Sequence, residues 1–142
     1  SRSSDLNHRS RQTAAAVPPW PWQNHAMTHP SFPQLDQFEF HHRLARTAGV
    51  AIVLFTSRGC ASCKAWKQLL AEYRRQHTET LVFEVDAERD LALTREFNVF
   101  HLPGLFLYVG GRYHCALQCE AKPEALHNAI TAALAAPAHE PP

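Results

Sequence analysis

The sequence has little glycine, a single methionine, no long apolar run and almost no net charge. Its 142 residues hold 5 glycines, 1 methionine and 4 cysteines, with Lys+Arg 14 against Asp+Glu 13 for a formal charge of +1. The absence of about 18 consecutive apolar residues excludes a membrane-spanning helix. The balanced charge leaves no basic field for nucleic acid and no acidic tail. Four cysteines are too few to build a disulfide-held mini-fold of this length. What is present is 45% hydrophobic and 19% charged residues. That composition supports one packed domain and argues against global disorder; two domains would be crowded.

Proline marks the ends of that domain. Of 10 prolines, only Pro103 and Pro123 lie between Gln34 and Ala136, whereas all five glycines lie inside that stretch. Residues 1–26 are rich in Ser, Arg, Ala and Pro and include Trp20-Pro21-Trp22; the only methionine, Met27, follows. We read 1–26 as a leader foreign to the fold, 27–136 as the domain and 137–142 as a frayed, Pro-rich tail. Without the leader, three arginines and one aspartate are lost, so the +1 charge becomes −1. The rival reading, an Arg- and Ser-rich organelle transit peptide, fits poorly with two tryptophans and clustered prolines. The leader lacks the apolar run of a secretory signal, so the expected location is the cytoplasm, or the periplasm if a signal has been removed.

The middle alternates helical and extended patterns. Asp36-Gln37-Phe38-Glu39 has the form of a capping box and predicts a helix to about Ala48, ended by Gly49. Val50–Phe55 is continuously apolar, which suits a strand buried on both faces. After the turn Thr56-Ser57-Arg58-Gly59, the spacing of Cys63, Trp66, Leu69, Leu70 and Tyr73 predicts a helix over about 60–76. Leu81–Val85 reads as a strand. A helix over about 88–97 follows, with Leu91, Leu93 and Phe97 as its buried candidates. Gly104–Val109 is a third buried strand. Gly110-Gly111 is a hairpin signal, with an antiparallel return over about 113–119. Pro123 opens a last helix, whose apolar stripe is Ala125, Leu126, Ala129, Ile130, Ala133 and Leu134. A short strand near Ser31-Phe32 is a further candidate. The fold class is α/β, a mixed sheet flanked by helices.

The chemistry sits in Cys60-Ala61-Ser62-Cys63, a Cys-x-x-Cys at a strand-to-helix junction. A thiol at a helix N-terminus meets unpaired N–H groups and the positive end of the helix dipole, which favour thiolate. Thiolate is the attacking species in disulfide exchange. Cys60 is the expected attacker, and Cys63, three residues on along the same face, the resolver. A zinc site is the alternative, with two further ligands drawn from Cys115, Cys119 or the histidines; two inert buried cysteines are another. Leu102-Pro103 precedes a buried strand, where a cis bond would expose the Leu102 backbone to an extended partner; an ordinary trans proline is the plainer reading. Arg58 and His101 are candidate modulators of the thiolate, or else solvated surface residues. Lys64 lies in the first helical turn and reads as a solvated side chain. Cys115 and Cys119, four apart in the expected strand, would stand roughly 13 Å apart, beyond disulfide reach.

Together these residues resemble the thioredoxin family. The likeness runs from about Leu35 to Leu134 and rests on Val50–Phe55, Cys60-Ala61-Ser62-Cys63-Lys64, Val85-Asp86, Leu102-Pro103 and Phe106–Gly111. The resemblance implies a central mixed sheet, a cis Pro103, a nucleophilic Cys60 and a resolving Cys63. It also implies a substrate surface of Leu102, Pro103, Gly59, Ala61 and Ser62, with Cys119 bordering it. The chain departs from the family in three places. Gly59 stands where typical members have tryptophan, Ala61-Ser62 where they have Gly-Pro, and Leu54 and Val82 where they have a buried aspartate and its lysine. Losing both charges together avoids an unpaired buried ion. The expected activity is thiol–disulfide exchange with protein disulfides, in cell redox homeostasis, by a monomer. It needs a thiol reductant or oxidant as partner and no cofactor or metal beyond the dithiol. An adaptor or chaperone module on the same fold is the alternative.

Overall fold

The apolar run after Gly49 forms the second strand of a four-stranded sheet in the computed structural model, which describes residues 31–142. The leader read at 1–26, and Met27, lie outside the described residues. The elements run α1 (Phe40–Ala45), β1 (Val50–Thr56), α2 (Ala61–Gln76), β2 (Leu81–Asp86), α3 (Leu91–Glu96), β3 (Gly104–Val109), β4 (Arg112–Leu117) and α4 (Pro123–Ala135). The strand order is β2-β1-β3-β4. β1 pairs parallel with β2 and antiparallel with β3, and β3 pairs antiparallel with β4. The fold is the expected α/β mixed sheet. None of the described helices is long and apolar enough to cross a membrane.

Burial on both faces explains why β1 shows no polar alternation. Ile52 and Leu54 point into a core with Trp66, Leu70 and Tyr73 of α2 and Leu126 and Ile130 of α4. Ala51, Val53 and Phe55 point into the opposite core with Phe40 and Leu44 of α1, Leu93 of α3 and Phe97. The second core is aromatic: Phe97 lies 5.2 Å from Phe40, 5.5 Å from Phe55 and 5.0 Å from Phe106, centroid to centroid. Such spacings lie in the favourable range for offset and edge-on pairs.

Several elements are shorter than their patterns predict, and side chains explain where they stop. Asp36 Oδ1 accepts the N–H groups of Phe38 and Glu39 at 2.9 and 3.0 Å. The aspartate therefore caps a turn, and regular helix begins at Phe40 rather than Asp36. At the far end, Arg46 and Thr47 donate to the carbonyls of Arg43 and Leu44, three residues back. This tighter turn ends α1 at Ala45, before Gly49. Asp86 Oδ1 likewise holds the N–H groups of Glu88 and Arg89, so α3 starts at Leu91 rather than Glu88. In that position Leu91 is 50% exposed, whereas Leu93 and Phe97 are buried. Leu134 is also exposed, because the last turn of α4 turns Ala133 to the core instead. Near Ser31-Phe32 there is a single parallel bridge, Gln34 to Glu84, in place of a strand. Pro33, which has no N–H, contributes only its carbonyl to the Glu84 N–H at 2.9 Å.

Gly110 and Gly111 make the hairpin, both with positive φ, at 60° and 84°. Gly111 also has no room for a side chain: a Cβ there would lie 2.6 Å from the Ala45 carbonyl oxygen. Gly110 N–H donates to the Gly49 carbonyl at 2.8 Å. β4 ends at Leu117, so Cys119 lies beyond the strand, not in it. A register shift leaves His114 as the extra residue of a bulge. Its carbonyl accepts from His139 N–H at 2.7 Å, and its Nε2–H donates to the Ala133 carbonyl at 2.6 Å. The segment 137–142 carries no regular structure.

Candidate active site

β1 delivers the chain to Thr56, and the exposed loop of Arg58 and Gly59 turns it into α2. Cys60 is the N-cap of that helix, with extended backbone at φ −92° and ψ 111°. Cys60 and Cys63 form a disulfide with their Cα atoms 5.2 Å apart. The Cys63 N–H donates to Cys60 Sγ at 3.0 Å. Cys63 is 1% exposed, whereas Cys60 is half-buried and Ala61, Ser62 and Lys64 face solvent. The outer sulfur is thus the one a partner can reach, and a helix N–H already points at it.

The loop before β3 closes the other side. Leu102–Pro103 is a cis peptide, as the resemblance implies. The Ser62 hydroxyl donates to the Leu102 carbonyl at 3.2 Å, so the motif and the proline loop touch through a hydrogen bond. Ser62 Oγ also lies 3.4 Å from Cys60 Sγ. His101 is exposed and Leu102 and Pro103 are half-buried. Phe100, just before them, is 83% exposed. It borders a cavity of about 320 Å³ that is also lined by Val99, His101, Pro103, Leu117 and Gln118. The structure therefore brings Gly59, Cys60, Ala61, Ser62 and Cys63 together with Leu102 and Pro103. Arg58 and His101 make no ion pair with any described residue.

The second cysteine pair is of another kind. Cys115 is buried and Cys119 half-buried, and both are free thiols. Both pack against the core that holds Trp66 and Leu70. Burial pushes the Cys115 thiol up from its ordinary value. Burial, and then the nearby Glu120 carboxylate, does the same to Cys119. Among the described residues, no three His, Cys, Asp or Glu side chains converge on a metal-sized site.

Sequence reasoning missed two buried carboxylates, Asp90, which pairs with Arg89, and Glu84, which lies nearer the motif. Glu84 is 4% exposed in the middle of β2. Its Oε2 takes Lys67 Nζ at 2.7 Å and the Thr56 hydroxyl at 2.6 Å. Lys67 lies one turn beyond Cys63 on α2, and Leu54 is Glu84's direct partner across the strand pair. In place of the charged pair absent from Leu54 and Val82, a carboxylate stands directly across from Leu54, two residues beyond Val82, with its lysine on α2. The signal was legible: Glu84 is the only charge in Leu81-Val82-Phe83-Glu84-Val85.

Comparison with known proteins agrees with this geometry. Residues 31–132 match the family model described as Thioredoxin. No curated protein matches the chain in sequence. Among solved structures, oxidised mitochondrial thioredoxin 3 from Saccharomyces cerevisiae is 19% identical, with a TM-score of 0.62 over 71% of this chain and 94% of that one. Thioredoxin f2 from Chlamydomonas reinhardtii is 20% identical, with a TM-score of 0.64 over 72% of this chain and 95% of that one. A chain from a structural study of thiol resolution in yeast mitochondrial 1-Cys peroxiredoxin via the glutathione and thioredoxin systems is 18% identical. Its TM-score is 0.63 over 72% of this chain and 95% of that one. At these identities the likeness establishes the fold.

Proposed function

The chain belongs to the thioredoxin family, and from that premise we propose that it exchanges disulfides with protein substrates in cell redox homeostasis. The fold and the Cys60–Cys63 disulfide fit a thiol–disulfide oxidoreductase. In the reduced protein, the Cys60 thiolate attacks one sulfur of a substrate disulfide. A Cys60–substrate disulfide forms and the first substrate thiolate leaves, taking a proton from solvent. Cys63, deprotonated as it reacts, then attacks Cys60 Sγ. The second substrate thiolate leaves, and the Cys60–Cys63 disulfide closes. Two electrons have passed from the dithiol to the substrate, and an external thiol reductant restores the dithiol. The same steps in reverse oxidise a substrate. No further cofactor enters the balance.

The observation that carries this reading is Cys60 at the α2 N-cap with the Cys63 N–H 3.0 Å from its sulfur. Helix-terminal N–H groups favour the thiolate over the thiol. Exposed Phe100 beside the proline loop supports a polypeptide as the substrate rather than a small thiol. The same surface also suits an adaptor that binds without turnover, and one assay separates the two. Wild-type protein is expected to reduce insulin disulfides in the presence of dithiothreitol, and Cys60→Ser to show only background. A wild type with no activity above the dithiothreitol blank would sink the oxidoreductase reading and favour the adaptor.

A further inference from the structure

Ser62 has one hydroxyl proton and two acceptors within reach. The Leu102 carbonyl lies at 3.2 Å and Cys60 Sγ at 3.4 Å. A disulfide sulfur carries no proton, so Ser62 is the only donor of this pair in the oxidised protein. A neutral disulfide sulfur is also a weak acceptor, so the carbonyl accepts the hydroxyl's hydrogen bond. Reduction reverses the ranking. A dithiol reductant becomes a disulfide as it passes two electrons to Cys60–Cys63; one of its two protons gives the Cys63 thiol, the other goes to solvent, and Cys60 is left as the thiolate. A hydrogen bond to a charged acceptor is roughly twice as strong as one between neutral groups.

We propose that Ser62 is a redox-sensitive positioning residue: its hydroxyl holds the Leu102 carbonyl while the disulfide is closed and turns to the Cys60 thiolate once a dithiol has opened it. The proposal rests on the exchange chemistry proposed above and adds two consequences. The thiolate gains a second donor beside the Cys63 N–H. The Leu102 carbonyl is released in the state that must receive a substrate, where an extended segment can pair with it. Ser62 is exposed, so only a change of side-chain rotamer is required. The charged or titratable groups around this turn are Arg58 in the loop, Lys64 on α2 and His101 before the proline. Beyond β4 lie Cys119 and Glu120, the latter 3.7 Å from Lys122. None of these groups is a hydrogen-bond partner of Ser62.

The test compares wild type with Ser62→Ala and Ser62→Thr. Alanine is a good helix former at this position, so a merely structural role predicts no loss. The first measurement is the thiolate absorbance of Cys60 against pH in the reduced protein. Ser62→Ala is expected to weaken the acidity of Cys60 about tenfold, and Ser62→Thr to restore it. The second is the reduction potential against glutathione. A tenfold loss of reduced-state stabilisation makes the couple more reducing by about 30 mV. The third is the carbonyl ¹³C shift of Leu102, expected to change on reduction in wild type and less so in Ser62→Ala. Equal acidity, equal potential and an equal Leu102 shift change in wild type and Ser62→Ala would overturn the role of Ser62. That result would leave exchange itself intact, whereas failure of the exchange reading appears as an inactive wild type in the insulin assay.

Discussion

Cys60 and Cys63 stand three residues apart where a helix begins; Cys115 and Cys119 stand four apart across the end of a strand. The first pair is joined, capped by a helix N–H and open to solvent on its outer sulfur. The second is unjoined and packed against apolar side chains, and burial pushes both thiols up. The residue type is the same, so the difference belongs to the backbone around it. Unpaired N–H groups at a helix start favour the ion, and an apolar wall favours the neutral thiol.

Turnover gives the widest test of that contrast. Cys60→Ser should cut insulin reduction by more than about a thousandfold, while Cys115→Ala should stay within about twofold of wild type. A comparable loss in Cys115→Ala would break the contrast. Chemical labelling is the next largest effect. In the reduced protein near neutral pH, iodoacetamide should modify Cys60 about a hundredfold faster than Cys115, measured by peptide mass spectrometry. Equal rates would show that burial does not protect Cys115. Stability should rank the pairs the other way. Cys115→Ser puts a hydroxyl in an apolar site and should cost about 1.5 kcal/mol in urea unfolding, whereas Cys60→Ser, compared with reduced wild type, should cost under about 0.5 kcal/mol.

The smallest expected effect is alkaline. A thiol whose folded pKa is raised is deprotonated first in the unfolded chain. Its contribution to stability is therefore full below the ordinary thiol value of 9.0 and is lost as pH rises through the folded value. Above 9.0 stability should fall progressively, because the Cys115 thiol ionises more readily in the unfolded chain than in its buried site. Tyr108 adds a later loss above its ordinary 10.0, since burial, then Tyr113 and Glu96, push it up. Cys115→Ala should remove its own share of the earlier decline and leave that of Cys119, read from urea midpoints between pH 8 and 10.

The parts of the fold that were legible in sequence are those where one local force dominates. The apolar runs at 50–55 and 104–109 had nowhere to go but a sheet buried on both faces, and Gly110-Gly111 allowed one tight turn. The reactive motif was legible because its two cysteines are local to each other. What escaped needed side chains reaching across the chain or against its local pattern. Asp36 looked like a helix starter, yet it and Asp86 each fold a turn in front of a helix instead. Leu91 and Leu134 sit on periodic positions that the ends of their helices turn outward. The Glu84–Lys67 pair joins a strand to a helix 17 residues earlier, and the Ser62–Leu102 bond spans 40 residues. No single window of sequence contains either.

The glycine hairpin sets a gauge length for the reactive end. Pairing of β1 with β3 is counted from Val50↔Val109, beside Gly110 and Gly111, to Phe55↔Gly104, beside Pro103. A one-residue slip of β3 against β1, which the Gly110 N–H bond to the Gly49 carbonyl opposes, would carry the proline loop past Cys60 by about 3.3 Å and turn every β3 side chain to the other face. Because the Ala45 carbonyl leaves no space for a Cβ at Gly111, the turn cannot be re-cut with a bulkier residue. How Pro103 meets Cys60 is therefore tied to position 111, at the opposite end of β3 from the Cys60–Cys63 disulfide.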